Sequence, residues 1–170
     1  MEQARRRALL LLMVIASAAV LASCGSVGQV SAKRPAVALA QNIARLDRLV
    51  VWRTDAFPQN HFRFAFPATV AVTDPTAVQA VARALSALPP MPSGNVHCPA
   101  DLGIIYRLVF AAGDQQFPVV SVDATGSETV RGLGVTRWVA TSPDFWHTLG
   151  VAMGLAKPDY AIFPGSRPAN

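Results

Sequence analysis

The sequence predicts an α+β fold: an antiparallel sheet of about five to six strands with two main helices packed on one face. Three observations lead there. Apolar residues alternate with period two in several short segments, which is the pattern of half-buried strands. Two other segments carry apolar residues at helical spacing behind an acidic or hydroxyl residue and a proline. The order strand, strand, helix, run of strands, helix suits a sheet with its helices on one side better than alternating parallel units.

Each element has its own justification. Over Ala36 to Leu49, the residues Leu39, Ile43, Leu46 and Leu49 or Val50 recur at helical spacing, so a helix is expected to open the domain. Leu49-Val50-Val51-Trp52 reads as a strand. In "HFRFAFPATVAV", Phe62, Phe64 and Phe66 share one face at period two, and Val70 and Val72 continue the alternation beyond Pro67. Two short strands, or one interrupted edge strand, account for that pattern. "TDPTAVQAVARALSALPP" then begins a helix, with Asp74 as N-cap, Pro75 in the first turn and Pro89-Pro90 as the stop. Val78, Val81, Leu85 and Leu88 form its core stripe.

After a loop, Ile104 to Phe110 and Phe117 to Val122 read as strands joined by the turn "AAGDQQ". Thr125-Gly126 turns the chain again, and Glu128 to Arg131 and Val135 to Ala140 add short strands. Ser142-Pro143-Asp144 caps a last helix carrying Phe145, Leu149 and Met153. The segment boundaries expected are 1–23 for a signal peptide, 24–40 for a modified N-terminus and flexible spacer, 41–160 for one α+β domain, and 161–170 for a disordered tail.

The first of those segments has its own chemistry. Arg5, Arg6 and Arg7 precede an apolar run from Ala8 to Ala22, which is too short for the roughly 20 apolar residues of a membrane-spanning helix. A basic region followed by such a run reads as a secretory signal; the rivals are a permanent transmembrane anchor and ordinary cleavage at Ala16-Ser17-Ala18, which leaves a soluble secreted product. Leu21-Ala22-Ser23-Cys24 resembles the lipobox of bacterial lipoproteins, in which the thiol receives diacylglycerol. The resemblance implies that Cys24 is the lipid attachment site and the N-terminus of the mature chain. Two acyl chains, at ~0.8 kcal/mol per buried CH₂, hold a protein on a bilayer where one does not. Gly25 stands where an aspartate would mark inner-membrane retention.

Composition bounds the remainder. The chain has 170 residues and a formal charge of +5; three Arg and one Glu lie in residues 1–23, so the mature 147 residues carry +3. That length buries about two-thirds of its unfolded surface in one core. Its arginines are scattered, which excludes the basic footprint of a nucleic-acid binder. Lys33-Arg34 lies in the Gly, Ser, Val and Gln spacer near the tether and is able to touch anionic lipid.

The catalytic and metal motifs are not met. His61, His97 and His147 are far apart in sequence, and Asp101, Asp123 and Asp144 join them in no paired-carboxylate or ligand spacing. Ser121 and Ser127 lack a nucleophile elbow, and Gly132-Leu133-Gly134 reads as turn glycines instead of a phosphate loop. Cys98 reads as a packed thiol, with a reactive or metal-binding thiol beside His97 as the rival. No cofactor and no metal is expected. Trp138, Trp146, Tyr106 and the phenylalanines are expected in the core.

"HCPADLGIIYRLVF" and "VSVDATGSETVRGLG", flanked by "AFPQNH" and "SPDFWHTLGVAMGL", resemble a group of uncharacterised actinomycete lipoproteins, from about Leu49 to Leu155. The resemblance implies the envelope setting and a shared domain, and carries no activity. It also implies that in those relatives a cysteine at the position of Ser127 pairs with the one matching Cys98, a pattern from which this chain departs.

The expected function is therefore a lipid-anchored protein on the extracytoplasmic face of the cell membrane, a non-enzymatic binding or structural module. Its partner is an envelope protein or small ligand. The alternatives are a small extracytoplasmic hydrolase using His97 with Asp101 or Asp123, and a hydrolase-inhibitor-like module presenting the loop Met91 to Ala100.

Overall fold

The computed structural model describes residues 39–140 and 142–167. The expected signal, Cys24 as the expected lipid attachment site, and most of the expected spacer lie outside the described residues. Seven strands form one antiparallel sheet: β1 (Arg48–Asp55), β2 (Thr69–Val72), β3 (Ile104–Ala112), β4 (Gln115–Gln116), β5 (Val120–Asp123), β6 (Thr129–Arg131) and β7 (Arg137–Trp138). Six of them run in the order β2-β1-β3-β5-β6-β7, and β4 pairs with β3. Two helices, α1 (Pro75–Ala87) and α2 (Pro143–Ala152), bury their apolar stripes in the same core as one face of that sheet.

Register explains which face is sealed. Leu49 lies opposite Phe110 and Val72, Val51 opposite Leu108, and Tyr106 opposite Val122, which in turn faces Val130. Directly opposed residues share a face. These are all buried, and Val78, Val81, Ala82 and Leu85 of α1 close over them with Phe145, Trp146 and Leu149 of α2. Each such aliphatic side chain contributes ~1.5–3 kcal/mol over remaining exposed.

The helix ends follow from local chemistry. Asp74 Oδ1 accepts from the Thr76 backbone N–H at 2.9 Å, satisfying an orphan donor of the first turn of α1. At the other end, the Arg137 guanidinium donates to the Leu88 carbonyl, which places a cation at the negative end of the helix. Ser142 occupies the N-cap position of α2, but its side chain makes no cap hydrogen bond. Gly150, inside α2, is the point of closest approach: a Cβ there would lie 2.7 Å from Pro158 Cα.

Several expectations are corrected. Within the described residues the helix runs only to residue 41, a 3-10 turn follows at Ile43–Arg45, and the chain is extended by Arg48, so the helix expected to continue to Leu49 ends early. Helical spacing across Leu39, Leu46 and Leu49 reflects burial of all three, but Leu49 is captured by β1 through its pairing with Phe110. Phe62, Phe64 and Phe66 do not form a strand; only Arg63 makes an isolated bridge, to Ser166. They pack against the core from a loop, and Arg53 stacks over Phe64 at 3.5 Å, a cation–π contact. The edge strand begins beyond Pro67, as β2. The return strand after "AAGDQQ" is split into β4 and β5 around Pro118, which has no N–H for the ladder.

The expected tail from residue 161 is also corrected. Phe163 is fully buried, its ring 4.7 Å from that of Trp146 and 5.4 Å from that of Tyr106. The Tyr106 hydroxyl donates to its carbonyl at 2.8 Å. Ser166 pairs with Arg63, so the fold extends through the described C-terminal residues. At the other boundary Leu39 is buried, so the spacer gives way to the domain before residue 40.

Among the described residues no helix packs on the second face of the sheet. Val50 and Trp52 of β1 and Ile105 and Val109 of β3 point there, half-buried, and none of them packs against the core cluster.

Candidate functional site

The densest set of polar side chains gathers where the loop before β3 meets the turn between β5 and β6. Asp101 Oδ1 accepts from the Gly103 backbone N–H at 2.8 Å and from the Thr125 hydroxyl at 2.9 Å, while Thr125 Oγ1 accepts from the Leu102 N–H at 3.0 Å. Gly126 is required at this join. Its φ is +71°, and a Cβ would lie 2.9 Å from that of Asp101. Cys98, half-buried, stands beside Ser127, whose hydroxyl donates to its sulfur. The thiol in turn lies 3.7 Å from the Val96 carbonyl.

Ser127 and Glu128 continue the cluster onto β7 and the C-terminal segment. The Trp138 indole N–H donates to the Ser127 carbonyl at 3.0 Å, and the Val139 N–H to the Glu128 carbonyl at 3.0 Å. Glu128 adopts φ +48°, in the left-handed region that costs a side-chain-bearing residue energy and persists only where its surroundings hold it. Its carboxylate Oε1 is 3.0 Å from the Tyr160 hydroxyl, which is also 3.0 Å from the Ala124 carbonyl.

A tyrosine hydroxyl has one proton and faces two acceptors here. If Glu128 is protonated, its O–H donates to Tyr160 and Tyr160 donates to Ala124, so every group is satisfied. Burial raises the Glu128 carboxyl above its ordinary value of 4.5, against the opposing effect of the Tyr160 hydrogen bond. Burial first, then the Glu128 contact, also raises the Tyr160 hydroxyl. The folded state thus holds a proton that the unfolded chain releases at lower pH. This stabilisation is present below pH 4.5 and is lost as pH rises through the raised value in the fold. Glu128→Gln should flatten that part of the stability profile, measured by denaturant unfolding across pH. A profile unchanged by the substitution would refute the assignment.

The sequence candidates are placed as follows. His61 is exposed in a left-handed turn, His97 is exposed in the loop beside Cys98, and His147 is exposed on α2. They occupy three separate elements. Asp101 is committed to Thr125 and Gly103, and Asp123 to Thr129 at 2.5 Å and Arg131 at 2.8 Å. Neither contacts His97. Asp144 lies in the first turn of α2, where a negative charge suits the helix dipole. Gly132 and Gly134 take φ +99° and +83°, as turn glycines do, and a Cβ on Gly132 would lie 2.4 Å from the Val119 carbonyl. In the loop Met91 to Ala100, Met91 is tied to Thr136, and residues 92–95 are exposed. Among the described residues no group of three His, Cys, Asp or Glu side chains is placed to hold a metal.

Sequence reasoning missed Glu128 and Tyr160. They are 32 residues apart, and only folding of the C-terminal segment onto the turn joins them. Surface depressions lie elsewhere: one of about 220 Å³ between Leu88 and Phe145, another of about 230 Å³ between Phe66 and Leu155. Both are smaller than the 300–1,000 Å³ or so of a typical ligand pocket.

No known protein family, curated protein or solved structure matches this chain. Among the described residues no helix is long and apolar enough to cross a membrane.

Proposed function

We propose that this protein is a lipid-anchored component of the cell envelope, held on the extracytoplasmic face of the membrane through Cys24, and that its α+β domain is a non-enzymatic binding module. The observation that carries the anchor is the ordered succession of Arg5 to Arg7, the apolar run Ala8 to Ala22, and Leu21-Ala22-Ser23-Cys24.

The binding reading is supported by how the polar groups are spent. Asp101, Thr125, Ser127 and Asp123 form hydrogen bonds with one another's loops, as structural turns do, and the three histidines are dispersed over the surface. A hydrolase would need a base within about 3 Å of its nucleophile or reachable through one water.

The test is made on the anchor. Wild-type protein expressed in a lipoprotein-processing bacterium should partition into detergent, resist extraction by salt and gain the mass of a diacylglyceryl group, because its main attachment energy is apolar burial. Cys24→Ala should leave the precursor uncleaved or release a mis-cleaved product. Intact-mass analysis showing an unmodified Cys24 in the mature wild type would overturn the reading.

A further inference from the structure

Pairing across the sheet lines up one row of residues on the face away from α1 and α2. Thr69 of β2 lies opposite Trp52 of β1, Trp52 opposite Arg107 of β3, Arg107 opposite Ser121 of β5, and Ser121 opposite Arg131 of β6. Strand spacing makes this row roughly 19 Å long. Trp52 is half-buried and is flanked by Val50, Val109 and Ile105, none of which belongs to the core. Arg107 is exposed and, among the described residues, has no hydrogen-bond or ion-pair partner.

Charge on this face is one-sided. Arg48, Arg107 and Arg131 stand against Asp123 alone, and Asp123 is already neutralised by Arg131 at 2.8 Å. Arg107 therefore stands in register between Trp52 and Ser121, exposed and, among the described residues, without an ion-pair or hydrogen-bond partner. Such a row offers stacking, charge and hydrogen bonding in succession along a line.

We propose that this face binds an acidic glycan chain laid across the strands, with Trp52 stacking on a sugar ring, Arg107 taking an anionic substituent, and Ser121 and Arg131 continuing the contact. An extended peptide would instead add to an exposed strand edge through its backbone. Single-stranded RNA also uses aromatic stacking beside arginine. The choice of a glycan over RNA rests on the envelope setting proposed above, although the existence of the row does not.

The experiment uses the full-length protein in detergent micelles. It is titrated with polygalacturonate, neutral dextran, poly(U) and phosphatidylglycerol added to the micelles, and read by tryptophan fluorescence and calorimetry. Polygalacturonate should bind and perturb the fluorescence, less so as salt rises, and dextran should bind much more weakly. Arg107→Gln should weaken binding about tenfold or more, as loss of a charge-assisted contact does. Trp52→Ala should weaken it and remove most of the fluorescence change. Arg83→Gln, which removes the same charge from the exposed side of α1, should leave binding unchanged. Circular dichroism of each variant confirms an intact fold.

Absence of polygalacturonate binding, preference for poly(U) or phosphatidylglycerol, or equal losses in Arg107→Gln and Arg83→Gln would each overturn the proposal. The intact mass of the same preparation separates this outcome from the anchor. An unmodified Cys24 with polygalacturonate bound removes the anchor and keeps the site, and a lipidated Cys24 without binding removes only the site.

Discussion

Trp146→Ala is expected to destabilise the domain by about 3–5 kcal/mol. Trp146 is 1% exposed and sits at the centre of an aromatic cluster, with ring centroids 4.7 Å from Phe163, 5.2 Å from Phe145, 5.7 Å from Tyr160 and 5.9 Å from Tyr106. Truncation removes contacts to sheet, helix and C-terminal segment together. A loss of that size is a large share of the roughly 5–15 kcal/mol that holds a typical domain together, so the melting temperature should fall by about 10 °C or more. Trp146→Phe makes the discriminating comparison. Among the described residues the indole Nε1 has no hydrogen-bond partner, and a buried unsatisfied donor costs about 1–3 kcal/mol. Phenylalanine keeps the ring contacts and deletes that donor, so it should cost much less than alanine. Equal losses in the two variants, measured by denaturant unfolding, would refute the packing account.

Ser127→Cys is expected to act in the opposite direction. Ser127 Oγ already touches Cys98 Sγ, and the positions are 29 residues apart in the chain. A disulfide closing a loop of that size stabilises by roughly 3–4 kcal/mol in the chain-entropy model, before any native strain is subtracted. The oxidised variant should melt higher than wild type, and reduction should remove most of the gain. Two free thiols titrated in the oxidised, folded variant would sink the prediction, since they would mean that the Cα geometry a disulfide demands is not met. Wild type, carrying serine here, should be insensitive to reductant.

Much of the fold was legible because it depends on periodicity and punctuation, which are local. Asp74-Pro75 marked the start of α1, and Val78, Val81, Leu85 and Leu88 marked its buried side without any knowledge of what lies beneath. Alternation from Ile104 to Phe110 gave β3 and its buried face for the same reason. The helix expected over Ala36 to Leu49 stops short of Leu49 because a spacing of three and four residues is produced equally by a short turn running into a strand. Long-range pairing of Leu49 with Phe110 chose between them. Phe62, Phe64 and Phe66 alternate as a strand does, yet the bridge from Arg63 to Ser166 is their nearest approach to pairing, and the ladder starts only beyond Pro67.

The sequence by itself determined the α+β class, the position and capping of α1, the two central strands, and the expectation that Cys24 is lipidated, because each is written in contiguous residues. Tertiary structure alone decided the rest. Phe163 is a core residue and not a tail residue because Tyr106 and Trp146, both distant in sequence, leave a place for its ring. Glu128 and Tyr160 meet because the C-terminal segment folds back onto the β5–β6 turn. Trp52, Arg107, Ser121 and Arg131 form one row because antiparallel register aligns four strands at single residues. A shift of one residue in any of those pairings would send its side chains to the opposite face; local alternation sets which face each side chain takes, and only the long-range pairing sets which residue stands opposite which.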